Sequence, residues 1–102
     1  MVRLLAISNN RSVNTRETVF LTCVGYGAFI TWSVNGEIVR NTPLVTIYEE
    51  NIQSGRVVRQ SILRLCSVGF SSAGNYTCNI SDYVTSVSAT TQLMVTGWFL
   101  LK

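Results

Sequence analysis

The chain has 102 residues, the length of one ordinary domain, enough to bury a core and too short to divide into two. Its formal charge of +3 comes from 8 Lys and Arg against 5 Asp and Glu, and the arginines are scattered from Arg3 to Arg64, which argues against a nucleic-acid partner. The chain has no histidine, so the usual general base and the commonest zinc ligand are missing; no catalytic residue, metal ligand or cofactor is expected.

In chain order the dominant apolar period is two, and no stretch of ten residues keeps a helical stripe, so the fold class is all-β. Edge pieces run at Val2 to Ile7 and at Ser12 to Asn14. Val19, Leu21 and Cys23 alternate with Thr18, Phe20 and Thr22, giving a strand over about Thr18 to Val24 with Cys23 on its buried side. "GYGA", Gly25 to Ala28, is expected to turn the chain. Ile30, Trp32 and Val34 form the next buried set, and Asn35-Gly36 supplies a tight hairpin turn into a strand from Glu37 to about Asn41. Pro43 marks a break before the alternating Val45 and Ile47, which lead into "EENIQSGR", read as a turn ended by Gly55. Across that turn Glu49-Glu50 faces Arg56 and Arg59, an arrangement that ion pairing explains better than a carboxylate dyad. A long strand over about Arg56 to Cys66, with Leu63 and Leu65 in phase with the core, precedes strands at Asn75 to Ser81 and Ser86 to Val95.

Taken together, "LTC" at Leu21 to Cys23, "ITW" at Ile30 to Trp32, "NGE" at Asn35 to Glu37, "LRL" at Leu63 to Leu65, Val68 and "AGNYTC" at Ala73 to Cys78 resemble the immunoglobulin superfamily, most closely its I-set. The resemblance covers Ser12 to Val95. It implies a two-sheet antiparallel β-sandwich with an inter-sheet disulfide between Cys23 and Cys78, Trp32 packed on that bond, Leu65 in the core, and Tyr76 as a tyrosine corner whose hydroxyl returns to upstream backbone. The family usually pairs an Asp at the place of Ser72 with an Arg near Leu44; this chain lacks both, and losing both members of a buried pair is physically tolerable. Residues 1–102 read as a single such domain cut from a longer protein, with its framework over about 12–95 and residues 96–102 as a tail or linker.

A disulfide persists only in an oxidising compartment, so the expected location is extracellular or at the cell surface. Cys66 follows the inward Leu65 and turns outward, as a free thiol or one that pairs outside the chain. Asn10, Asn75 and Asn79 head glycosylation sequons, and Asn75 and Asn79 would share the outer face of the sheet that carries Trp32. Glycans there would leave the turn tyrosines Tyr26 and Tyr83 as the expected partner-binding residues, with Arg64 and Tyr48 on the opposite sheet. The leading functional reading is an extracellular recognition module of a receptor or adhesion protein. Its partners would be a protein ligand, neighbouring domains of the same chain, or a second copy in homophilic contact, with no membrane insertion by the short apolar tail "GWFLLK". The alternative is a structural I-set spacer in an intracellular scaffold or muscle-type array.

Overall fold

The structure is a computed structural model and describes residues 2–53 and 58–97. The expected turn at Gly55, the cation Arg56 and the tail beyond Gly97 lie outside the described residues.

Among the described residues nine strands form two sheets: β1 Arg3–Ile7, β2 Arg11–Asn14, β3 Val19–Tyr26, β4 Phe29–Val34, β5 Glu37–Ile38, β6 Val45–Gln53, β7 Val58–Leu65, β8 Gly74–Ser81 and β9 Ser86–Thr96. A four-stranded sheet has the order β1-β3-β7-β6, and a five-stranded sheet has the order β2-β9-β8-β4-β5. All pairs are antiparallel except β2 with β9, which run parallel from Arg11 opposite Leu93 to Asn14 opposite Thr96. The layout is the expected all-β sandwich.

Alternation dictates which residues the two sheets share. Val19, Leu21 and Cys23 of β3 and Leu63 and Leu65 of β7 point inward from one sheet; Ile30 and Trp32 of β4, Tyr76, Cys78 and Ile80 of β8, and Leu93 of β9 meet them from the other. At the centre Cys23 and Cys78 are joined, 55 residues apart in sequence. Closing a loop of that length removes about 4 kcal/mol of unfolded-chain entropy. Trp32, opposite Cys78 in the β4–β8 register, is 1% exposed. Its indole Nε1–H donates to Ser61 Oγ at 2.9 Å, a bond from one sheet to the other. Tyr76 is buried at the start of β8, where its hydroxyl donates to the Ser72 carbonyl and burial raises its pKa. Ser72 Oγ accepts the Gly69 N–H and so fixes the single 3-10 turn Phe70–Ser72 that leads into β8.

Three local expectations are corrected. Gly25 and Tyr26 do not turn; they continue β3, opposite Leu4 and Arg3. A Cβ on Gly25 would stand 2.3 Å from the Arg3 carbonyl and 2.4 Å from Ile80 Cδ1, so glycine here admits close packing of β1 and of the facing sheet. The strand after Asn35-Gly36, whose φ values of 50° and 89° make the tight turn, ends at Ile38. Asn41 Oδ1 accepts the Ile47 N–H, while Thr42 Oγ1 accepts those of Leu44 and Val45; these side chains take the donors at the start of β6 and draw the chain toward the other sheet. Finally, "EENIQ" is strand, because pairing with β7 from Val45 opposite Leu65 to Gln53 opposite Val58 overrides its polar composition.

The cross-sheet bond generates a test. Ser61→Ala leaves the buried Trp32 N–H without its acceptor and is expected to cost about 1 to 3 kcal/mol in denaturant unfolding. In a cycle with Trp32→Phe, the double variant should lose less than the sum of the two single losses. Strict additivity would contradict the bond.

Candidate functional site

The strand register fixes where the chain enters and leaves. Arg3 lies opposite Tyr26, beside the short connection Gly27-Ala28 and the β8–β9 turn Asp82 to Thr85. Thr96 lies opposite Asn14 at the far end, next to the Arg16 N–H that donates to the Val68 carbonyl at 2.7 Å. The sandwich therefore has an entry end and an exit end, with the long strands β3, β7, β8 and β9 running between them.

The entry end is built on a braced turn. Asp82 Oδ1 accepts the N–H groups of Val84 and Thr85, each at 2.8 Å, and the Asp82 N–H donates to the Thr85 carbonyl at 3.0 Å. The two accepted bonds, that of Thr85 first, favour the carboxylate and hold its pKa below the ordinary value. The turn projects Tyr83 and Val84, 89% and 88% exposed, and the Tyr83 ring meets Phe29 edge to face at 5.5 Å and 88°. Beneath them the Ala28 N–H donates to the Ser81 carbonyl at 3.0 Å. Arg59 Nη1 donates to the Ala28 carbonyl at 2.9 Å and stands 3.6 Å from Glu49 Oε1, tying β7, β6 and the approach to β4 together. The expected Glu49 to Arg59 ion pair is thus present, with Arg59 also serving as a brace at this end.

Of the residues singled out in the sequence, Tyr26 and Tyr83 both lie at the entry end, but Tyr26 is a half-buried strand residue and Tyr83 projects from the turn. Asn75 is exposed and Asn79 half-buried on the outer face of the five-stranded sheet, whereas Asn10 Oδ1 accepts the Gln92 N–H at 2.9 Å and ties the approach to β2 to β9. Cys66 is a half-buried free thiol just past β7, its N–H donating to the Leu44 carbonyl at 2.8 Å. Tyr48, opposite Ile62, and Arg64, opposite Phe20, share the outer face of the four-stranded sheet with Thr22. No group of three metal-ligating side chains occurs among the described residues. Sequence reasoning missed Phe29 and Val84, whose only signal is that each is a large apolar residue beside a turn.

No family model and no curated protein matches the chain. Solved structures do. Titin domain M4 matches with TM-score 0.78 and 16% identity over 93% of this chain and 95% of that one. A mutant complex of titin M10 with an obscurin-like 1 Ig domain matches with TM-score 0.78 and 16% identity over 94% and 93%. Titin domains Z1Z2 in complex with telethonin match with TM-score 0.78 and 16% identity over 94% of this chain and 47% of that one. The fold is immunoglobulin-like, of the I-set kind.

These similarities correct the expected extracellular or cell-surface location. The structures named above are of titin, a protein of the intracellular muscle sarcomere. The sandwich fold by itself is therefore no sign of an oxidising compartment.

The braced turn yields a pH prediction. Asp82→Ala removes the acceptor of two turn N–H groups and should lower stability at pH 7. Because the folded-state pKa of Asp82 is depressed, its contribution is present above the unfolded-state value of about 4 and is lost as pH falls through the folded value. Thermal unfolding of native and variant chains should therefore converge under acid conditions. A gap that stays constant down to about pH 2 would rule out the carboxylate as its cause.

Proposed function

We propose that this chain is a structural I-set module of an intracellular scaffold array, holding length between its neighbours and offering its surface to protein partners. The observation that carries this reading is the path of the chain: it enters at one end of the sandwich, leaves at the other, and is clasped near its start by the parallel β2–β9 pair. If tension is applied through the ends, β2 is drawn toward its start and β9 toward its end. For parallel strands these pulls oppose each other along the strand axis, so the ladder is sheared and its bonds carry the strain together rather than opening one by one. Side chains reinforce the clasp: Thr96 Oγ1 donates to Asn14 Oδ1 at 2.8 Å, and the Thr15 N–H donates to the Thr96 carbonyl at 2.8 Å.

The comparisons support the setting. The chain spans about half of the titin Z1Z2 structure, so the similar fold there is one of two domains in tandem. Those domains are in complex with telethonin, and M10 is in complex with an obscurin-like Ig domain, which supports protein partners for this chain as well. The fold matches titin domains that act as structural parts, and no catalytic role is included in the proposal.

Single-molecule extension of a tandem polyprotein tests the reading. The intact module should unfold in one step at a distinct force peak. Asn14→Ala should lower that peak, and Val13→Pro, which removes a backbone donor within β2, should lower it further. Thr31→Ala on the exposed side of β4 should leave it unchanged. Extension without a peak, or an unchanged peak in both β2 variants, would reject the spacer role.

A further inference from the structure

At the entry end Phe29 and Tyr83 are in edge-to-face contact and Val84 stands beside them in sequence, all three exposed among the described residues. Tyr83 and Val84 are almost fully exposed on a turn of four residues that is pinned by hydrogen bonds of Asp82 to Val84 and Thr85. Ordering exposed apolar side chains in this way gains nothing in the isolated domain but lowers the cost of association. At the opposite end the chain continues beyond Gly97 as Trp98, Phe99, Leu100, Leu101 and Lys102. Four of these five residues are large and apolar, so this segment too gains by burial.

The two surfaces cannot meet within one copy. Five extended residues span at most about 17 Å. The eleven residues of β9, which separate Gly97 from the Asp82–Thr85 turn, span about 36 Å.

We propose that the entry-end cluster receives residues 98–102 of a second copy of this chain in a head-to-tail contact. Such a contact is heterologous: each copy offers a different surface at each end, so the association does not close on itself and grows as a linear string. Gly97 lies at the exit end and the receiving cluster at the entry end, so the contact would set successive copies end to end. The contact takes its biological setting from the array reading, but it is a property of the isolated chain in solution and stands or falls separately from the force response.

Sedimentation velocity on the full chain provides the test. The weight-average mass should rise with concentration past that of two chains. Tyr83→Arg/Val84→Arg, at exposed positions that leave the sandwich intact, should sediment as a single chain, and so should Trp98→Ser/Phe99→Ser. Mixing these two variants leaves one intact receiving cluster and one intact tail, so the mixture should form a dimer and stop there. In amide NMR spectra of the mixture the shifts should fall on Phe29, on the residues flanking the Asp82–Thr85 turn and on the tail. A native chain that remains single at all concentrations overturns the proposal. So does a mixture that fails to dimerise, or shifts confined to the outer face carrying Tyr48 and Phe20.

Discussion

The structure depends on one inter-sheet connection, the central layer in which Trp32 is buried and donates across the sheets to Ser61, and which the Cys23–Cys78 bond reinforces. Each sheet alone would expose a row of apolar residues, and neither has a stable reason to exist without the other. The connection fixes strand phase on both sides at once. With Cys23 inward, Leu21 and Val19 must be inward as well; with Cys78 inward, Tyr76 and Ile80 follow, and the outer faces are left to Phe20, Thr22, Thr77 and Asn79. A slip of one residue in either strand would reverse all of that strand's placements.

The central layer was legible because apolar alternation and a Cys, Trp, Leu, Tyr, Cys order are carried by residue types that seldom occur in this pattern by accident. Ser61 was not legible. It occupies the inward phase of Leu63 and Leu65, yet a serine there carries no apolar signal, and only the geometry reveals that it answers the Trp32 N–H. The same limit hid the second half of β6, where Glu49, Glu50 and Asn51 read as turn while cross-strand pairing with β7 holds them extended. At the entry end the sequence pointed to Tyr26 and Tyr83, but it could not say that Gly25 continues a strand, because close approach of two backbones and a tight turn both select glycine. Compartment was misread for a different reason. The expectation rested on the cysteine pair alone, whereas the sandwich that carries it is a fold also found in titin domains of the sarcomere.

Form and proposed role follow from the same topology. Antiparallel pairing within each sheet builds the body of the sandwich, and the exception, β2 alongside β9, is the pair that joins the beginning of the chain to its end. The braces at the two ends differ in kind. At the exit end, backbone and side-chain bonds link Asn14, Thr15 and Thr96, closing the surface upon itself. At the entry end, Arg59 and Asp82 satisfy backbone groups beneath a projecting aromatic and a valine, so a firm base supports an open apolar surface.

If the chain serves in an intracellular array, as proposed, its sheets have to hold together with Cys23 and Cys78 as thiols, since cytosolic conditions keep such pairs reduced. The account holds that Trp32, Leu21, Leu63, Ile80 and Leu93, all essentially excluded from solvent, suffice for this once the bond's share of about 4 kcal/mol is removed. The most direct measurement is calorimetric unfolding of the chain with both cysteines reduced, followed by hydrogen exchange at the amides of β3, β4, β7 and β8. A single cooperative transition at lower temperature, with those amides still protected, is the expected result. Loss of the transition, or rapid exchange throughout the central strands, would show that the covalent bond alone holds the sandwich together and would contradict the account.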